Sequence, residues 1–284
     1  MGIFALCGAA QANFVTIGNA GNAAQSAANR NHSFNGGDGK GAVSYSYQIS
    51  KTEVTIAQMT ASGVGSGNEN YWNTSGRAVG TNAPAVRVSW YEAAKYCNWL
   101  TTGNALTGAY QFNGSGALTN TMTRAQILAA GGLYYVLPTL NEWYKAAYFK
   151  PDGSGYTLYA NGTSNTSAPP TQGAGGWNYG NAAQTWAVGS SAQEQNGTYD
   201  MMGNVFEWTE TFTTIAEINY AVRLGGRHNS DETFLRSSNQ SQTVPTNEDT
   251  FIGFRVVAIP EPATALLLAL GGGIAWLMRL KQRL

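Results

Sequence analysis

Tyr199-Asp200-Met201-Met202-Gly203-Asn204-Val205-Phe206-Glu207-Trp208 sets a carboxylate, a Gly-Asn turn and a second acid inside an apolar run. Val205, Phe206 and Trp208 read as a buried strand, and Glu207 lies within it. A carboxylate buried without a partner costs several kcal/mol or takes up a proton. Glu207 therefore meets a cation, an arginine or a set of backbone donors. Gly203 lets the chain fold back, so that Asp200, Glu207 and nearby backbone carbonyls can point the same way. Two acids with carbonyl oxygens suit a hard cation. The alternative is that Glu207 pairs with an arginine such as Arg255 while Asp200 caps a turn.

Further blocks lie to either side. Upstream are Pro84-Ala-Val-Arg-Val-Ser-Trp-Tyr-Glu-Ala-Ala-Lys-Tyr-Cys-Asn-Trp-Leu100 and Leu137-Pro-Thr-Leu-Asn-Glu-Trp-Tyr-Lys-Ala-Ala147; downstream are Arg223-Leu-Gly-Gly226 and Gly253-Phe-Arg255. In this order, and with Phe206 standing for a Trp, they resemble the signature blocks of the formylglycine-generating enzyme family, also called the sulfatase-modifying factor family. The resemblance runs from about Thr16 to Val257. It implies an α/β fold related to the C-type lectin fold, loop-rich with short strands and two main helices. It also implies one structural calcium ion, held by the side chains of Asp200 and Glu207 and the carbonyls of Gly203 and Val205. Trp177-Asn178-Tyr179-Gly180-Asn181 resembles the place of a first calcium site in the family. That site needs an acid shortly downstream; the next acid here is Glu194, so this first site is not expected.

Net charge is zero, from 16 basic and 16 acidic residues, and only 11% of residues are charged. A nucleic-acid binder needs a basic face, which this balance does not supply. The two histidines, His32 and His228, are too few for a histidine-based metal site. Cys7 lies in the first apolar stretch. Cys97 falls on the apolar stripe of a helix and reads as a small buried hydrophobe.

Residues 1–12 are apolar and end Ala10-Gln11-Ala12, a small-x-small pattern suited to signal-peptide cleavage, although the segment is short and lacks a leading cation. Residues 13–258 form one domain. At the other end, Pro260-Glu261-Pro262 precedes an apolar run from Ala263 to Met278 and then Arg279, Lys281 and Arg283. The run is at the short end for a membrane span, with cations beyond it as the positive-inside rule requires. Residues 259–284 thus read as a transmembrane anchor, and their order resembles the PEP-CTERM sorting signal of Gram-negative bacteria. That resemblance implies recognition by an exosortase at the inner membrane and a final place in the periplasm, at the cell surface or outside the cell.

Within the domain, 13–17 read as a strand, and Val43, Tyr45, Tyr47 and Ile49 alternate with polar residues as in a half-buried strand. Thr55-x-x-Gln58, Ser89-x-x-Glu92 and Thr139-x-x-Glu142 are capping boxes that open helices. Lys150 to Ala192 shows no sustained period.

The resemblance implies copper held by a cysteine pair shortly after the Gly-Gly block. Here that segment, Gly225 to Ser238, contains no cysteine, and Arg227 replaces the family's Ser. Thiolates select copper(I), and hydroxyls or amides do not substitute for them. No copper is expected, and no catalytic residue is assigned. The family's sulfoxide-forming branch carries iron on an added helical domain, which has no counterpart here. Arg227, His228 and Arg236 remain candidates for ligand binding. The expected function is that of an exported, non-catalytic surface protein with a binding or structural role in the cell envelope, extracellular polysaccharide being a candidate partner. The alternative is a diverged oxidoreductase with new active-site chemistry.

Overall fold

Thr55, Ser89, Thr123 and Thr139 each stand in extended backbone at the head of a helix. Each accepts a bond from the amide three residues on, while the Gln or Glu at that position reaches back to the cap. In the computed structural model, which describes residues 13–65, 80–180 and 182–260, these boxes open α1 (Ile56–Ser62), α2 (Trp90–Thr102), α3 (Arg124–Ala130) and α4 (Leu140–Tyr148). Glycines in the left-handed region, Gly63 and Gly103, stop α1 and α2. α2 and α4 bury most of their residues and are the main helices. α3 is an addition to the sequence reading.

The strands are β1 (Phe14–Ile17), β2 (Tyr47–Ser50), β3 (Tyr110–Phe112), β4 (Leu118–Thr121), β5 (Tyr134–Val136), β6 (Phe206–Ile215), β7 (Ile218–Leu224), β8 (Ser241–Thr243), β9 (Ile252–Gly253) and β10 (Val257–Ile259). One antiparallel sheet runs β1-β2-β10-β5, which brings both ends of the domain together. A second sheet runs β8-β7-β6-β9, with β9 parallel to β6, and β3 and β4 form a separate hairpin. The alternation from Val43 yields a strand only from Tyr47. Upstream of it, Val43 bonds instead to the loop at Gly21 and Asn22.

β6 is the element on which the site is assembled. Its first residues, Phe206 to Thr209, are buried and its far half is largely open. The register with β7 shifts between Trp208 and Phe212, and the irregularity serves as a dock. There the Glu210 amide donates to Pro138 O at 2.7 Å, and Thr211 Oγ1 accepts from the Leu140 amide at 2.9 Å, fixing the start of α4. Trp208 Nε1 donates to Val88 O at 2.8 Å, and Trp90 Nε1 to Thr209 O at 2.9 Å, fixing the start of α2. Both helices thus meet the second sheet at the irregular stretch of β6 from Trp208 to Thr211.

Among the described residues no helix is long and apolar enough to cross a membrane. The signal segment 1–12 and the tail from Glu261, with Pro262, Arg279, Lys281 and Arg283, lie outside the described residues; Pro260 is the last one described.

Candidate functional site

The turn before β6 is built from left-handed residues. Asp200, Gly203 and Asn204 have φ of 62°, 90° and 56°. A Cβ on Gly203 would lie 2.1 Å from Asn178 O, so only glycine fits. The Asn204 side chain then ties three segments together. Its Oδ1 accepts from the Trp186 amide at 2.8 Å and from Asn178 Nδ2 at 3.0 Å, and its Nδ2 donates to Glu53 Oε1 at 2.9 Å.

Glu207 faces Arg255, both fully buried. Arg255 Nε lies 2.6 Å from Glu207 Oε2 and Nη2 lies 2.6 Å from Oε1, a two-pronged ion pair. Trp143 Nε1 adds a third donor to Oε2 at 2.7 Å. The remaining arginine hydrogens go to the carbonyls of Ser50 and Lys51, both at 3.1 Å, and of Tyr199 at 2.9 Å. Asp200 accepts from the Gly189 amide at 2.6 Å on Oδ2 and from Ser191 Oγ on Oδ1. Asp200 thus holds a loop as a cap does. The donor set of Asp200, Gly203, Val205 and Glu207 does not fit an open calcium shell: Glu207 already carries three donors and its charge is met by Arg255. Of the partners the sequence left open for Glu207, the geometry shows the arginine. Among the described residues no three His, Cys, Asp or Glu side chains gather as a metal site.

Two more acids lie within electrostatic reach of this pair. Glu194 accepts from Thr198 Oγ1 at 2.8 Å and from the Met202 amide at 3.1 Å. Burial pushes its carboxyl up to about 8, with Arg255 opposing and Asp200 and Glu207 adding to the rise. Glu53 is held well above the usual carboxylate range by burial and by the same two acids.

A second buried network supports the heads of α3 and α4. Arg124 binds both oxygens of Glu142 at 2.9 Å, reaches Glu210 at 3.0 Å and donates to Leu137 O at 2.7 Å. Glu142 is at once the capping-box acid of α4 and the arginine's counter-ion. Tyr45 and Tyr110 donate to Glu142 and Glu210. Every charge here is paired, so the network reads as scaffold.

The segment that would hold copper is closed by aromatic stacks. The Arg227 guanidinium lies 4.0 Å from the centre of the Phe251 ring, and Arg223 lies 4.4 Å from that of Phe206. His228 is buried, with Nδ1 2.8 Å from Ala182 O and its ring against Phe251. Arg236 has separate contacts: Glu232 at 2.8 Å, Tyr159 Oη at 3.2 Å and the Phe34 ring. Thus Arg227 and His228 share one ring and Arg236 sits on another. Cys97 is fully buried, and burial pushes its thiol far up, with Glu210 adding to the rise. A copper pair does not fit: the segment offers guanidinium groups where thiolates would be needed.

Sequence reading did not single out Glu53, Glu194, Trp143, Asn204 and Arg124 as partners. Trp143 and Asn204 lay in quoted blocks, so their presence was visible though their bonds were not. Glu53 lies in Lys51-Thr-Glu-Val-Thr55, which resembles a further family block, whereas Arg124 gave no local signal, because its partners are far along the chain.

Residues 10–259 match the family description "Sulfatase-modifying factor enzyme 1-like domain". A protein of Paenibacillus barcinonensis called chaperone protein LppX is 30% identical over 149 residues, which is 45% of this chain and 52% of that protein. This chain therefore spans about half the length of that relative. Among solved structures, CarF superposes with a TM-score of 0.59 at 22% identity, over 86% of this chain and 97% of that one. Treponema denticola variable protein 1 superposes with a TM-score of 0.62 at 24% identity, over 87% and 95%. These two likenesses bear on the fold alone.

Proposed function

We propose, for a chain that belongs to the sulfatase-modifying factor enzyme 1-like domain family, a non-catalytic binding or structural role at the cell envelope or in the extracellular polysaccharide matrix. The observation that carries the reading is the segment Gly225 to Ser238. Where the family's enzymes need two thiolates for copper, this chain places Arg227 on Phe251 and pins His228 by its ring nitrogen. Arg223 on Phe206 and Arg236 on Phe34 continue the same theme of half-buried guanidinium groups on rings. Such stacks offer a cation and a flat apolar edge together, which suits an acidic saccharide better than a redox centre.

Delivery is part of the proposal. The Pro260-Glu261-Pro262 motif, the apolar run after it and the basic residues Arg279, Lys281 and Arg283 support export, transient anchoring in the inner membrane and processing by an exosortase. The experiment is fractionation of cells producing the full chain, the chain ending at Ile259, or the full chain with Arg223→Ala and Arg227→Ala. The full chain is expected in the surface or matrix fraction, the shortened chain in the periplasm or medium, and the arginine variant in looser, salt-extractable association. Recovery of the full chain from the cytosol would overturn the reading.

A further inference from the structure

Two segments far apart in sequence, 32–40 and 236–240, run side by side. His32 Nε2 lies 3.3 Å from Ser237 Oγ, and the Arg236 guanidinium sits 4.9 Å from the centre of the Phe34 ring. A Cβ added to Gly36 would lie 2.2 Å from Ser238 O, so backbone meets backbone there and a larger residue would force the segments apart. Each segment is also tied within itself. The Asn239 amide donates to Arg236 O at 2.9 Å, and Arg30 pairs with Asp38 across the base of the other loop. Along this seam lies an open hollow of about 450 Å³, lined by Gly36, Lys40, Ser238, Asn239 and Gln240. That volume is in the range of small-molecule sites, and the bonds of the two segments hold its shape without a ligand.

Lys40 is the one charged residue among those lining the hollow. It is half-buried, and its Nζ donates to Gly36 O at 2.7 Å, which sets the ammonium at the wall with hydrogens to spare. The nearest acid in sequence, Asp38, is taken by Arg30 and Gln25. Burial lowers the Lys40 ammonium from the usual lysine value, with no acid opposing the fall. Ser238 and Asn239 are half-buried and Gln240 is exposed, and their side chains bond to no other described residue.

One cation, a hydroxyl and two carboxamides, with no acid among them, limit what fits. A phosphate group is ordinarily met by several cations or by a row of backbone amides, which this lining does not supply. A neutral sugar would leave the ammonium unmatched. Carboxamides donate and accept at once, as sugar hydroxyls do. We propose that the hollow binds a uronic acid residue, its carboxylate on Lys40 and its ring hydroxyls on Ser238, Asn239 and Gln240. The proposal deepens the saccharide reading above and rests on it for the choice of a sugar; it adds the place and the kind of acid.

The test is calorimetric titration of the purified full chain, in mild detergent, with trigalacturonate, with neutral galactotriose and with inorganic phosphate. Saturable binding of one trigalacturonate per chain is expected, with the other two much weaker. Lys40→Gln should weaken it about tenfold or more, as loss of a hydrogen bond to a charged group does. Asn239→Ala removes a side chain that ties nothing in the fold, and should weaken binding several-fold with the melting temperature unchanged. If Lys40→Gln fails to fold, Asn239→Ala decides. Phosphate binding as tight as trigalacturonate, or undiminished binding in the folded variants, overturns the proposal. Binding lost in the Arg223→Ala, Arg227→Ala chain but kept in the Lys40 and Asn239 variants overturns this site and leaves the wider saccharide reading standing. No saturable binding of trigalacturonate also overturns the site, and the surface role is then decided by the fractionation above.

Discussion

Arg255 directs its donors to five acceptors without reaching solvent: the two oxygens of Glu207 and the carbonyls of Ser50, Lys51 and Tyr199. It joins the end of β2, the turn before β6 and the link from β9 to β10. Removing one partner of such a pair strands the other charge and costs about 3–5 kcal/mol, whereas replacing both with apolar groups costs far less. Arg255→Met should therefore lose stability on that scale in urea unfolding, and adding Glu207→Leu should restore much of it. A chelator should leave the wild-type melting temperature unchanged, since the cation at Glu207 belongs to the chain. Glu194 gives a pH signature. Its folded value, about 8, lies above the ordinary 4.5, so the unfolded state loses its proton first as pH rises. Its contribution is complete below about 4.5 and is lost progressively up to about 8. Urea midpoints should fall from pH 5 to pH 8, and Glu194→Gln should flatten part of that fall; an unchanged slope would contradict the assignment. Glu53 titrates in the same sense and accounts for a remaining slope.

At the scale of elements, what sequence made legible was local. The capping boxes at Thr55, Ser89 and Thr139 act within one turn, so four residues suffice to read them. Thr123 uses the same device, but α3 buries only Ile127 and gives no apolar stripe. Two acids near a Gly-Asn turn signal a cation without saying which. Arg255, 48 residues away, supplies it only through the tertiary fold. The β6–β7 hairpin was hidden for another reason. Its turn residues, Ala216 and Glu217, have φ of 48° and 67°, a conformation that ordinarily calls for Asn-Gly. Left-handed backbone costs such residues about 1 kcal/mol or more each. Ala216→Asn with Glu217→Gly should raise the melting temperature by about 2–4 °C, as roughly 1 kcal/mol does in a domain of this size. A lower melting temperature would show that the turn is held by something other than its own backbone preference.

Across the whole molecule, the family's scaffold is kept, and on the function proposed above its copper chemistry is not. The blocks that survive are those that hold the fold: the α2 and α4 heads pinned to β6, the glycine that clears Asn178, and the arginine that neutralises Glu207. The block that departs is Gly225 to Ser238, which lacks the cysteine pair and sets Arg227 on the Phe251 ring and Arg236 on the Phe34 ring. The unpatterned stretch from Lys150 to Ala192 forms no helix or strand within its described residues, yet Asn178, Trp186, Gly189 and Ser191 in it wrap the turn before β6. Its order comes from those long-range bonds, which no local pattern announces. The central claim is the loss of formylglycine-generating chemistry. It is tested most directly by incubating the purified chain with copper(I), oxygen, a reductant and a sulfatase-derived cysteine peptide, and following the peptide by mass. No conversion of cysteine to formylglycine above the protein-free control, with no copper retained after desalting, is the predicted result. Turnover with copper retained in a one-to-one ratio would contradict it.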